Sequence, residues 1–194
     1  MQDSSNGNGD DASNLNNTAL RGIQETDEQG IASFRSIFPG HYGGRATHVH
    51  VVGHVDATLL SNGTITGGSV AHIGQMFFDQ ELIAKVEALE PYNTNQVEIT
   101  TNEEDRVLAG ETEGTNSDPV FEYMFVDQEM GVEGGIFSWV TIGVDTSATY
   151  NTSYAALLTA EGGVANSNSG GGGGGKAPNG VPSGVPSGVP TMAA

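Results

Sequence analysis

The sequence predicts an all-β protein: a β-sandwich with one short helix, long loops and a disordered Gly/Pro-rich C-terminal tail. Three observations carry this. Short runs rich in Val, Ile, Thr and aromatic residues recur between Gly- and Asn-containing turns. Asn62-Gly63, between Leu59-Leu60 and Thr64-Ile65, is a hairpin signal. Helical periodicity stands out in only one place, after Asp79.

Residues 1–19 are mostly Asn, Asp, Ser and Gly and read as a polar N-terminal loop. The β-sandwich domain is expected over 20–147. In it, Ile31, Ser33, Arg35 and Ile37 alternate with Ala32, Phe34, Ser36 and Phe38, a strand-like pattern. Thr47 to Val55 is the next strand, rich in valine, and Gly74 to Phe78 another. Asp79 is placed to cap a helix over Gln80–Leu89, with Leu82, Ile83, Val86 and Leu89 at helical spacing and Pro91 ending it. Residues 92–118, including Glu103-Glu104-Asp105, read as a polar, loop-like excursion with room for one short helix. Val120 to Val126 and Gly135 to Val144 are late strands. A connecting segment fills 148–169. Residues 170–194 hold six consecutive glycines and then Val-Pro-Ser-Gly repeats, a composition that cannot offset its own ordering entropy.

The formal charge is -18, from 24 acidic and 6 basic residues. Phosphate backbones and anionic membrane surfaces would be repelled, which argues against a nucleic-acid partner. No apolar run is long enough to span a bilayer. With no cysteine there is no disulfide framework. No signal peptide follows Met1. Sequons at Asn16, Asn62 and Asn151 lean weakly toward an extracellular protein.

Residues 38–50 carry the chemistry: Phe-Pro-Gly-His-Tyr-Gly-Gly-Arg-Ala-Thr-His-Val-His. Side chains two apart on a strand share a face, so His48 and His50 point the same way and make half of a metal site. Tyr42 offers a hard anionic oxygen, and Arg45 offers a hold for an anionic substrate. His54 shares the parity of His48 and His50, but Gly53 is placed to break it with a bulge. His41, His54 and His72 are read as non-ligands.

Pro39-Gly40-His41-Tyr42, Arg45 and His48-x-His50, with Ile73-Gly74-Gln75-Met76-Phe77-Phe78-Asp79 downstream, resemble the metal-binding core of intradiol ring-cleavage dioxygenases. The flavour is that of the family's fungal secreted branch, and the resemblance covers roughly residues 20–147. It implies an all-β fold and a non-haem Fe(III) held by two tyrosines and two histidines. It also implies cleavage of a catechol-type aromatic diol with O2 to a muconate-type diacid, in extracellular catabolism of aromatic compounds. Carried over, Tyr42, His48 and His50 are metal ligands, and Arg45, Gln75 and Tyr42 are catalytic.

Only one of the family's two tyrosine ligands has a match. The other lies upstream in the family, whereas Tyr92, Tyr123, Tyr150 and Tyr154 are downstream and outside any matching motif. The expectation is an N-terminally truncated member. The alternative is an inactive relative that serves as a non-catalytic extracellular binding or surface protein. A cupin-type site also uses His-x-His on a strand, but Val51-Val52-Gly53-His54 lacks the glutamate that cupins place next.

Overall fold

The computed structural model describes residues 15–114, 116–151, 156–159 and 162–165. Its centre is a long antiparallel ladder between β1 (His48–Val55) and β4 (Ser69–Phe77). His48 pairs with Phe77 and His50 with Gln75. Register shifts between Gly53 and His54, which face His72 and Val70, so Ala71 is the extra residue of a bulge in β4. A small ladder of β2 (Thr58–Leu59) and β3 (Ile65–Thr66) extends the connection. Its Leu60–Thr64 turn places Gly63 at φ +79, as the Asn-Gly pair predicts. Gly68 returns the chain at φ +68, where a Cβ would run into the Val55 carbonyl.

Asp79 caps α1 (Gln80–Glu87), its Oδ1 accepting from Glu81 N at 2.9 Å and Leu82 N at 3.1 Å. The helix stops two residues short of Leu89, with Ala88 as C-cap. Its Leu82, Ile83 and Val86 bury themselves with Phe78 to form one core, flanked by Phe38, Tyr92, Phe121 and Ile136. Ala46, Phe77 and Leu108 form a second core. β5 (Glu122–Phe125) pairs antiparallel with β6 (Ile136–Trp139). The chain just before β5 joins the free edge of β4: Phe77 N donates to Pro119 O and Phe121 N to Phe77 O, each at 2.8 Å. Phe77 thus links both ladders and sits at 0% exposure.

The all-β class holds. Each ladder among the described residues has two strands, and they do not display the two packed layers of the expected sandwich. The short helix that the polar excursion had room for is α2 (Arg106–Thr112), which with α1 makes two short α-helices among the described residues. Two local expectations change. Residues 31–38 belong to no described ladder, and Ile31, Phe34 and Ile37 are exposed, because alternation makes a strand only where a partner edge exists. Of Gly135–Val144, only Ile136–Trp139 pairs. Within 148–169, β7 (Ala156–Thr159) and β8 (Gly162–Ala165) form a further antiparallel pair. The expected tail at 170–194 and most of the expected polar loop at 1–19 lie outside the described residues. No helix among the described residues is long and apolar enough to cross a membrane.

Candidate metal centre

The Gly43-Gly44 turn folds Tyr42 back against the start of β1. Gly44 takes φ +80, and Tyr42 and Arg45 make an isolated antiparallel bridge. The phenol therefore arrives over the face of β1 that carries His48 and His50. Tyr42 Oη lies 3.4 Å from His48 Nε2, and His48 Nε2 lies 3.2 Å from His50 Nε2. The His48 and His50 rings are inclined at 70° with centroids 4.9 Å apart.

His48 Nδ1 donates to its neighbour's carbonyl, Ala46 O, at 2.6 Å. That bond puts the ring's proton on Nδ1 and leaves the Nε2 lone pair facing Tyr42 and His50. His48 is buried, and burial drives its pKa down to about 4, with the charges of Arg45 and His50 adding to the effect. His50 stands at the mouth of the site. Loss of hydration around its ring and then the Arg45 charge push its pKa down too. Both imidazoles are thus neutral at pH 7, the form that binds metal. Burial raises the pKa of the Tyr42 phenol while Arg45 pulls it down.

Arg45 is fixed on two sides. Its Nε donates to Asp105 Oδ2 at 3.0 Å, and its Nη2 donates to Gln75 Oε1. Gln75 reaches the site because it pairs with His50 across the ladder. Asp105 is fully buried. Its Oδ1 caps α2, accepting from Val107 N at 2.8 Å and Leu108 N at 3.1 Å, and its Oδ2 also accepts from Ala46 N at 2.7 Å. Burial alone would raise its pKa. The bonds from Ala46, Leu108, Arg45 and Val107 outweigh this and hold the carboxyl below its ordinary value. Glu111, half-buried on α2, accepts a hydrogen bond from the Gln75 backbone and interacts with Arg45, while burial raises its pKa.

Among the histidines read as non-ligands, His41 is buried. Its Nε2 donates to Val97 O at 2.8 Å, and its Nδ1 lies 2.8 Å from Glu87 Oε1, close but poorly aligned for a hydrogen bond. His54 is exposed beyond the register shift, four residues or about 13 Å along the strand from His50. His72 is half-buried on β4, its Nε2 close over Gly74.

Tyr42, His48, His50, Arg45 and Gln75 therefore gather at one place. Sequence reasoning missed Asp105 and Glu111. It took Asp105 as the end of an acidic run, although Asp followed by Val107 and Leu108 is also an N-cap signal. Arg45 is also paired with an internal carboxylate, of which the sequence carried no sign.

The donor set suits a metal ion. Two donors each about 2.1 Å from one ion and about 90–110° apart lie about 3.0–3.4 Å from each other, the range seen here. No group of three or more His, Cys, Asp or Glu able to hold a metal occurs among the described residues, so such a site rests on the phenol as well as the two imidazoles.

No family model matches the chain, and no curated protein matches it either. Solved structures do. An intradiol ring-cleavage dioxygenase from Tetranychus urticae aligns with a TM-score of 0.50 and 26% identity over 65% of this chain. A dioxygenase known from its crystal structure aligns with the same TM-score, identity and coverage. The chain spans about half of each neighbour, 53% of its length. These likenesses support the intradiol ring-cleavage dioxygenase family.

Proposed function

We propose that this chain carries the metal site of an intradiol ring-cleavage dioxygenase, with Tyr42, His48 and His50 holding a non-haem Fe(III). The substrates are a catechol-type aromatic diol and O2, and the product is a muconate-type diacid. The observation that carries this reading is the convergence of three lone-pair donors, Tyr42 Oη, His48 Nε2 and His50 Nε2, within 3.2–3.4 Å steps. Three such donors have few protons to share, so a cation satisfies them better than they satisfy one another. A bound ferric ion would supply Lewis acidity and the redox partner for activating the diol.

The chain's own residues do the rest. Ala46 O holds the His48 tautomer. The Tyr42 phenolate is positioned to accept a hydroxyl proton from the diol. Arg45, held by Asp105 and Gln75, sets a fixed positive charge beside the ring, where negative charge builds during attack. Gln75 orients that guanidinium. Extracellular breakdown of aromatic compounds remains the setting we propose.

The test is to load the protein with ferric iron and record three things: bound iron per chain, a visible phenolate-to-iron absorption, and catechol-dependent oxygen uptake. Tyr42→Phe should remove the absorption. Stoichiometric iron with no absorption and no uptake would defeat the proposal.

A second reading is favoured by one observation. Among the described tyrosines, Tyr42 alone has its hydroxyl at the histidines, while Tyr92 donates to Phe38 O at 2.7 Å. The described residues thus supply three ligands, one hard anion fewer than in the family the sequence resembles. A relative that keeps the site but turns over poorly, and acts as a binding protein, would then bind iron and catechol without oxygen uptake.

A further inference from the structure

We infer that Asn62 is a site of N-linked glycosylation, taking an oligosaccharide on the tip of the Thr58–Thr66 hairpin. This rests on the extracellular setting and not on the dioxygenase chemistry.

Glycan transfer asks for a carboxamide two positions before a serine or threonine hydroxyl, with no proline between them, and for room around it. Asn62-Gly63-Thr64 meets the sequence requirement, and the fold supplies the room. β2 and β3 end in a closed turn, in which Leu60 N donates to Thr64 O at 2.7 Å and Gly63 N to Leu60 O at 2.9 Å. Asn62 and Gly63 are exposed at its tip, and a Cβ placed on Gly63 would meet no atom within 4 Å. Thr64 N and Thr64 Oγ1 both donate to Asn62 Oδ1, at 3.1 and 2.7 Å. The hydroxyl of the motif thus lies against its own carboxamide. Both bonds fall on the oxygen and leave Nδ2, the atom that takes the sugar, without a partner among the described residues.

The other two sequons are less suited. Asn16 Oδ1 accepts from Gly163 N at 2.8 Å, and a Cβ on Gly162 would approach it to 2.5 Å, so that carboxamide is lodged against β8. Asn151 is exposed, but Thr152 and Ser153, which complete its motif, lie outside the described residues.

Transfer is a substitution with no change of oxidation state. Asn62 Nδ2 attacks the anomeric carbon of an oligosaccharide carried on a lipid pyrophosphate and presented by the host's transferase. The N–C bond forms as the bond from that carbon to the phosphate oxygen breaks. The lipid pyrophosphate leaves, and one amide proton passes to a base on the transferase. The glycan stands clear of the candidate metal centre, because β1 runs about 16 Å from His50 to Val55 before the turn begins. It shades Leu59 and Leu60, which are 42% and 40% exposed beside it.

The experiment is to secrete the full chain from a eukaryotic host behind that host's own leader, and to record intact mass and a peptide map before and after peptide-N-glycanase. The leader supplies the export route, so the outcome reports on Asn62 and not on the setting. The expected result is a mass shift that the glycanase removes, with Asn62 occupied in most chains and more fully than Asn16. Running the glycanase in heavy-oxygen water marks the converted site and separates it from spontaneous deamidation of the Asn-Gly pair. Asn62→Gln and Thr64→Ala should each abolish occupancy there. Thr64→Ser keeps the hydroxyl and should retain the glycan, which separates loss of the motif from damage to the turn. A secreted chain with Asn62 bare, or with Asn16 occupied more fully than Asn62, overturns the inference, as does a Thr64→Ala chain that keeps its glycan at this position.

Discussion

Arg45 and Asp105 lie sixty positions apart in the chain, and their side chains meet at 3.0 Å with the carboxylate wholly buried. That one carboxylate ties α2 to the turn that carries the candidate ligands. Removing one member of a buried pair leaves the other charge uncompensated. Asp105→Ala should therefore destabilise the protein by about 3–5 kcal/mol in urea titration. Asp105→Asn keeps the shape but turns an NH2 toward Arg45 Nε–H or Ala46 N–H. It should cost about 1–3 kcal/mol and weaken diol binding more than iron binding, because Arg45 is misplaced while His48 and His50 remain.

His48 and His54 share strand parity but differ in surroundings. His48→Ala should abolish bound iron, measured by elemental analysis after gel filtration, and His54→Ala should leave it at the wild-type level. Equal loss in both variants would mean that the metal sits elsewhere on β1.

The metal-free protein should lose stability as pH falls through the window set by His48. The unfolded ring titrates at about 6.5, the folded one at about 4. Between these values the unfolded chain holds a proton that the folded chain excludes, so acid favours unfolding. The loss should reach about 3 kcal/mol and level off below the folded value. Urea midpoints at pH 7 and pH 4.5 measure it, and His48→Gln should flatten most of the difference.

His41 and Glu87 test whether a buried polar contact serves stability or position. Their side chains are 2% and 4% exposed, one residue before Tyr42 and at the end of α1. Glu87→Ala should cost about 1–3 kcal/mol, because it leaves the buried His41 Nδ1 without a polar neighbour. The double replacement His41→Phe with Glu87→Leu should recover most of that stability. If the pair positions the Tyr42 loop, the double variant will still show a weaker visible absorption when loaded with iron.

What the sequence displayed and what it hid divide along local and distant causes. The shared face of His48 and His50 follows from strand parity, and α1 from a cap, a first-turn glutamate and four apolar positions in period. α2 is seven residues with Gly110 near its end and a single buried side chain, Leu108, so its periodicity is faint and only the Asp105 cap marks it. The Arg45–Asp105 bond has no local signal, since nothing near either residue states which distant partner the fold will bring. The expected strand over residues 31–38 failed for a related reason: an alternating pattern describes one strand, whereas a ladder requires two.

Phe77 has a consequence for how the molecule opens. Its N–H and C=O are both bonded to the 119–121 segment on one edge, while it stands opposite His48 across the ladder on the other, so the end of the hairpin that holds His48 and His50 is flanked twice. The opposite end, past the bulge, relies on the small Thr58–Thr66 ladder and exposed side chains. Amide hydrogens should accordingly exchange quickly around Thr58–Thr66 and slowly around Phe77, a gradient running along one hairpin. The tip can breathe many times while the histidine end stays shut, which keeps the two imidazoles in register through fluctuations that open the rest of the ladder.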